Sequence, residues 1–408
     1  MKENRKFVHP LIFSLLTACA GRIALGPQAF VNKIPIQNAD LEAKSDQDSL
    51  NFGGFSSLYY SVEESTSSKS VLYTITDRGP NLESQAGPGG VGTERPFLLP
   101  DFTPRILKLT LDLEKGRAVA ESPILIRRPN GLPISGRPHH QNSNHQENPN
   151  LSPLEIPVDK QGHPLPYDPW GLDTESLVRD KKGDFWVGEE YGPSLVRIDS
   201  RGIILKRWSP ELSSQSEAYQ GELPRFLAKR KVNRGFEALA WNKAGNLLAF
   251  LQSPLPDSEI TRLIAILEFD PIKEESVGLY FYRAHENGGK IGDATLGPNG
   301  EILVIEQNGE VGRNAWQKIY GISLTHATND LAKALNMGFS YVPGKEIKEV
   351  EKREVANLTK LGLESFAKLE GLTFTPSNKL VLLNDNDFSL SQMEGNFLFL
   401  LGGLDFAH

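Results

Sequence analysis

The chain has one cysteine, three methionines and no apolar run long enough to span a bilayer. One cysteine excludes an internal disulfide, so packing and hydrogen bonds must hold the fold. Without an extended apolar segment, no transmembrane helix is expected. Basic residues are also short: 44 lysines and arginines face 51 aspartates and glutamates, for a net charge of −7. That balance offers no broad cationic surface, and nucleic acid is not an expected partner. No Gly-x-Ser-x-Gly elbow occurs, which removes the best sequence support for a serine-esterase triad.

The lone cysteine has its own reading. Lys2, Arg5 and Lys6 precede a short apolar run from Leu11 to Leu16, the pattern of an export signal. Leu16, Thr17, Ala18 and Cys19 resemble a bacterial lipobox. The expectation is a lipoprotein signal peptide over 1–18 and lipidation of Cys19. A lipidated tether and first strand would follow over 19–48, with the folded domain over 49–408. An ordinary cleaved signal ending near Ala18 or Ala20 is the alternative. Acyl chains on Cys19 would make the lipid anchor the only membrane contact. They imply an exported protein of the cell envelope, and Ala20 and Gly21 carry no inner-membrane retention signal, which favours the outer membrane.

The stretch from Trp170 to Trp208 organises the rest. Four short apolar runs are separated by turns at Asp180–Gly183, at Glu190–Pro193 and at Ser200–Gly202. This is an antiparallel four-stranded meander. Such a sheet cannot bury its faces alone and must stack on copies of itself. The copies are present: an acid, a small residue and an apolar residue precede a turn glycine or asparagine. They run from Glu175 to Gly183, Glu237 to Gly245, Asp293 to Gly300 and Glu370 to Asn378. Beyond each turn, the next strand leads to Glu190, Gln252, Gln307 (beside Glu306) and Asp385. A weaker copy runs from Gly54 to Asp77. The fold class predicted is all-β, a β-propeller of about six four-stranded blades with loop and short helical insertions. The count includes a weak segment around Arg105. Ala29–Ile36 is expected to pair with the last blade and close the ring, with Pro35 demoting it to an edge.

Two insertions stand out. Pro129–Pro169 is rich in Pro, Gly, Asn and His, and His139, His140 and His145 raise the question of zinc. No cysteine or carboxylate stands at regular spacing to complete that set, and polar loop histidines more often face water. A short helical or loop excursion is expected over 213–231, around Glu222–Arg230, and another over 316–355, where Leu331–Leu335 has helical spacing; Gly362–Phe366 precedes the final blade.

Repeated acids at equivalent positions of a propeller converge at one mouth of the channel. One tier would hold Glu175, Glu237, Asp293 and Glu370. A neighbouring tier would hold Asp77, Glu189 or Glu190, Glu306, Asp385 and Asp387, and strand parity decides between the two adjacent glutamates. So many carboxylates need a cation, arginines or raised pKa values. Oxygen ligands suit a divalent cation, Ca²⁺ or Mg²⁺. Asp77, Glu190, Asp293, Glu306, Glu370 and Asp385 are the candidate metal ligands. Arg78 and Arg234 are placed to grip a phosphate oxyanion, and Glu175, Glu190 and Glu237 are the candidate catalytic carboxylates. The same acids would also serve as turn caps or as partners of lysines between blades.

Several motifs together resemble the phytase-like family, "esterase-like activity of phytase". They are Asp77–Asn81, Gly171–Glu175, Trp186–Pro193, Asn233–Glu237, Lys290–Asp293 and Leu369–Leu372, in order along residues 50 to 405. The resemblance implies an exported propeller whose acids serve a phosphoesterase or phosphodiesterase. At Glu306 and Gln307 the chain departs from the acid–arginine pair expected there. The function predicted is a metal-assisted phosphoesterase of the envelope acting on a small phosphorylated or ester substrate. A Ca²⁺-dependent lactonase and a non-enzymatic binding propeller are the other readings.

Overall fold

The computed structural model describes residues 29–38, 50, 52–87, 92–139, 155–210, 217–256, 261–286, 288–377, 379–390, 395–404 and 406. The expected signal peptide over 1–18, Cys19, His140 and His145 lie outside them. Among the described residues, the strands form five four-stranded antiparallel units. Their first strands are Phe55–Ser61, Thr174–Arg179, Phe236–Trp241, Lys290–Leu296 and Leu369–Thr375. These five neighbour one another in cyclic order, the fifth returning to the first, which is the arrangement of a β-propeller. They are numbered blades 1 to 5 in that order.

The expectation of about six blades is corrected to five among the described residues. The segment around Arg105 is not a blade of its own. Arg105–Asp112 pairs with Lys69–Thr76 as the third strand of blade 1, and the long loop before it is inserted within that blade.

The meander from Trp170 to Trp208 is blade 2. Its hairpins show why the sequence turns where it does. Asp180 accepts the backbone N–H of Lys182 and Asp184, while Gly183 takes φ 90°. Asp199 does the same for Arg201 and Ile203, with Gly202 at φ 91°. Asn242 repeats it before Gly245. An Asx side chain replaces a backbone acceptor, and only glycine enters the left-handed region without cost.

Apolar side chains gather between blades. Trp186 stacks on Trp208 at 5.2 Å between centroids, against Phe269 of blade 3. The buried apolar residues form clusters that span neighbouring blades, one of them running through blades 2, 3 and 4.

Phe30–Asn38 closes the ring. It pairs antiparallel with Phe397–Gly402 of blade 5, then parallel with Ala118–Ala120 of blade 1. Pro35 pairs on one side only, with Phe397, and the strand meets its second partner only beyond it. Pro35 sits where pairing passes from one blade to the other, and the next N–H, of Ile36, bonds to Asn396. The missing donor therefore falls at the switch between partners.

The insertions add a small sheet in which Thr93–Pro96 pairs with Gln85–Ala86 and with Glu155–Val158. One α-helix, Leu331–Met337, and a 3₁₀ turn, Arg225–Lys229, occupy the excursions read from the sequence. No helix among the described residues is long and apolar enough to cross a membrane.

Candidate functional site

In blade 2 the pairing of Thr174–Arg179 with its neighbour skips one residue between Thr174 and Ser176. The extra residue is Glu175. Glu237 is the skipped residue in blade 3, and Glu370 in blade 5. The repeated acids are therefore the extra residues of β-bulges, which free a side chain from the sheet's alternation and re-aim it. All three lie near the start of an inner strand, and so at the same mouth.

Directly across each hairpin, the residues after the second strands meet them. Asp77, Glu190, Gln252 and Asp385 each donate a backbone N–H to the residue that leads into the inner strand, at Gly54, Asp173, Gly235 and Lys368. Their side chains share the mouth with the bulge glutamates. Gln252 donates to Glu237 at 2.8 Å, Lys368 pairs with Asp385 at 2.8 Å, and Ser56 of blade 1 donates to Glu175 at 2.6 Å.

The densest part is in blade 2. Oxygens of Asp173, Glu175 and Glu190 all lie within 4.8 Å of one another, and all three residues are buried. Arg78 reaches Asp173 at 3.0 Å and Glu190 at 3.8 Å, and also pairs with Glu155 at 2.8 Å. Its own N–H donates to Asp173. Arg95 holds the other oxygen of Glu155 at 2.6 Å, so the inserted sheet is tied down over Arg78. Arg234 approaches Glu190 from the far side at 3.4 Å.

This crowding raises the acids' affinity for protons. Burial, then the charges of Asp173, Glu237, Glu190 and Glu370, holds the Glu175 carboxyl well above the usual range. Burial and the charges of Glu190 and Glu370 do the same to Glu237. Burial and Asp173 push Glu190 up to about 8, although Arg234 and Arg78 pull it down. Burial pushes Glu370 up to about 7 against the pull of Lys368. Burial, Asp385 and Asp173 raise Asp77. The mouth holds more acid than its own cations neutralise, so it takes up protons or a further cation.

Three predicted residues go elsewhere. Strand parity sends Glu190 to the mouth and turns Glu189 away. Glu189 accepts the N–H of Tyr191 and Gly192, the hydroxyl of Ser194 and the guanidinium of Arg207 at 3.1 Å. Glu306 has the parity of Glu189, and Gln307 that of Glu190. Glu306 is buried between blades 3 and 4, held by Tyr282, the N–H of His285 and Lys352 at 3.0 Å. Its assignment as a metal ligand is therefore corrected: it pairs with Lys352 within blade 4 and accepts the hydroxyl of Tyr282 from blade 3. Asp293 is corrected too. The bulge of blade 4 contains two residues, Gly292 and Asp293. The carboxylate of Asp293 accepts N–H from Leu58 (3.1 Å), Leu372 (2.7 Å) and Ala294 (2.8 Å), and a hydroxyl from Ser57. It staples blades 1, 4 and 5 together. His139, one of the three histidines considered for zinc, is buried with its ring against Tyr191 and Tyr219 and its Nε2 4.0 Å from Glu189.

Sequence reasoning missed Asp173, Glu155 and Lys368 as site residues. Asp173 stands in the same short motif as Glu175, but its counterparts in other blades are glycine or lysine, so no repetition marked it. The oxygen-only donor set of Asp173, Glu175 and Glu190 fits a hard divalent cation. Oδ2 of Asp173 receives no hydrogen bond, only the charge of Arg78.

Comparison with solved structures finds a glucose dehydrogenase-like putative oxidoreductase of Thermus thermophilus, 12% identical, covering 89% of this chain and 86% of that one, with a TM-score of 0.35. A virginiamycin B lyase of Staphylococcus aureus is 10% identical, covering 92% and 99%, with a TM-score of 0.33. Nothing of those proteins' chemistry transfers at such similarity. Comparison with curated proteins gives no match. Residues 50–388 match the phytase-like family described as "esterase-like activity of phytase", and with most of its length in that match the chain belongs to this family.

Proposed function

We propose that the mouth is the active site of a phosphoesterase that works with a divalent cation, Ca²⁺ or Mg²⁺, held by Asp173, Glu175 and Glu190. The observation that carries this reading is the buried oxygen triad with two guanidiniums on its flanks. Bound there, such a cation would supply Lewis-acid polarisation of a phosphoryl oxygen.

The chain's own residues divide the remaining work. Arg234 has a side chain 35% exposed and is the guanidinium free to turn to a phosphate oxygen. Arg78 is spent on Glu155 and Asp173 and positions the triad. Glu237 lies off the triad with a carboxyl whose affinity for a proton is raised well above the usual by burial and by the charges of Glu190 and Glu370, which suits donation of a proton to a leaving oxygen. Asp77, Glu370 and Asp385 complete the acidic wall, with Lys368 limiting its charge. The proposed station is the cell envelope, through lipidation of Cys19.

The test is turnover of phosphomonoesters, phosphodiesters and lactones by the full chain, with and without chelator. Chelator-sensitive phosphoester hydrolysis is expected. Lactone opening alone transfers the site to the lactonase reading. No turnover, with a chelator-sensitive melting temperature, leaves a binding propeller.

A further inference from the structure

Behind the triad lies a carboxylate that the proposed chemistry leaves unused. Glu189 is fully buried at the end of strand Phe185–Glu189, turned from the mouth into the body of blade 2. A carboxylate taken out of water persists only where donors replace its hydration. Oε1 of Glu189 accepts the backbone N–H of Asp173 at 3.3 Å and of Tyr191 at 2.9 Å. Oε2 accepts the N–H of Gly192 at 3.1 Å, the hydroxyl of Ser194 at 3.0 Å and Nη2 of Arg207 at 3.1 Å.

The two bonds to Oε1 set this residue apart. Asp173 lies in the lead-in to the inner strand Thr174–Arg179, and Tyr191 in the turn after the second strand. Asp173 is itself a member of the triad, and Tyr191 follows directly on Glu190. A single oxygen therefore fixes the backbone of one triad residue and the backbone next to another. The N–H of Glu190 donates to the carbonyl of Asp173 at 2.9 Å, a second tie between the same two segments. Arg207 steadies both: its Nε donates to Ser194 Oγ at 2.9 Å, and its Nη1 to the carbonyl of Gly171 at 3.4 Å.

The same place on the other blades holds Thr76, Leu251, Glu306 and Asn384. Glu306 accepts from Tyr282, His285 and Lys352. Asn384 accepts the N–H of Phe397. None of these donors adjoins a triad carboxylate.

We infer that Glu189 is the positioning residue of the oxygen triad. By gathering the N–H groups of Asp173 and Tyr191 on one oxygen, it sets the separation at which the Asp173 and Glu190 carboxylates face a cation. The inference rests on the metal-assisted reading for what the triad holds. Groups that orient metal ligands from behind control affinity strongly, and losing one costs about 10- to 100-fold. Glutamine in place of Glu189 would keep the shape but turn an N–H₂ group toward donors, so acceptor capacity is lost where the two segments meet.

The test compares Glu189→Gln with Glu306→Gln, a change at an equally buried glutamate in the equivalent place of blade 4. Ca²⁺ and Mg²⁺ are titrated calorimetrically into the full chain at a temperature where both variants are folded. Binding is expected to weaken about 10- to 100-fold in Glu189→Gln and to match the parent in Glu306→Gln. Amide hydrogen exchange adds a readout that needs neither cation nor substrate. In Glu189→Gln the N–H groups of Asp173 and Tyr191 are expected to exchange faster together, with blade 5 protected as in the parent. Parent cation affinity in folded Glu189→Gln, or unchanged exchange at Asp173, overturns the positioning role. Should Glu189→Gln not fold, Glu189→Asp keeps the charge opposite Arg207 on a stem one methylene shorter. It is expected to weaken binding about tenfold, and parent affinity in that variant overturns the role equally. If the parent binds no divalent cation while Asp173 and Tyr191 still loosen together, Glu189 stands as the brace of the two segments and the metal-assisted reading falls.

Discussion

The mouth has two unlike arcs. After the second strands, blades 1, 2 and 5 present Asp77, Glu190 and Asp385, whereas blades 3 and 4 present Gln252 and Gln307 at the same places. The acidic arc is closed in by the inserted sheet through Arg78 and Glu155. The amide arc borders a groove lined by Lys231, Arg234, Arg262 and Lys290. A five-fold scaffold thus carries a one-sided site: equivalent backbone positions supply charge on one side and neutral hydrogen-bonding groups on the other.

The sharpest test of this contrast is to blunt the acidic arc. Glu175→Gln is expected to lower kcat/KM by about 10² to 10⁴ and to weaken cation binding, as loss of a metal ligand or proton-transfer group does. Turnover within threefold of the parent would remove Glu175 from the chemistry. A second test addresses acids that share the sequence pattern but not the mouth. Glu306→Ala leaves Lys352 half-buried without its partner and should cost about 3 to 5 kcal/mol of stability, read by denaturant titration, with cation affinity intact. Weakened cation binding in the folded variant would return Glu306 to the metal site. Asp293→Ala removes the acceptor of three backbone N–H groups, and a loss of about 1 to 3 kcal/mol is expected. An unchanged melting temperature would show that the staple contributes nothing.

pH offers a fourth test. Glu190 and Glu370 have folded-state pKa values of about 8 and about 7, against an ordinary 4.5. Each binds its proton more tightly when folded, so their contribution is present below pH 4.5 and is lost as pH rises through 7 and 8. The cation-free protein should therefore lose melting temperature across that window, and Glu370→Gln should flatten its lower part. A melting temperature that rises steadily to pH 8 in both proteins is incompatible with these shifts. The smallest effect is expected on the other arc, where Gln252→Ala should change kcat/KM less than about threefold; a change as large as that of Glu175→Gln would erase the distinction between the arcs.

The fold was legible because its signals are local and repeated. Asx and glycine turns at Asp180–Gly183 and Asp199–Gly202, and recurring acids, mark blades without reference to tertiary contacts. The number of blades was less legible because Arg105–Asp112 joins a strand across a long insertion, and strand periodicity does not say which hairpin a strand completes. At the site, Glu175, Glu237 and Glu370 could be read because three blades repeat them. Asp293 misled because a two-residue bulge carries it past its counterparts, and Glu306 because one step of strand parity separates it from Gln307. Asp173 and Glu155 were hidden for a different reason. They are single-blade or inserted residues, brought to Arg78 by topology alone.

The seam at Phe30–Asn38 has a consequence for how the molecule comes into being. Strand Phe397–Gly402 is synthesised long after its partner, Phe30–Pro35, with four whole blades made in between. The first strand's parallel partner in blade 1 is made early, but its antiparallel one arrives only after the blades between have emerged, and contacts of such separation slow assembly. The ring then locks in one late zippering step, so a nascent or clipped chain lacking either end would be an open fan with bare strand edges, exposed to self-association.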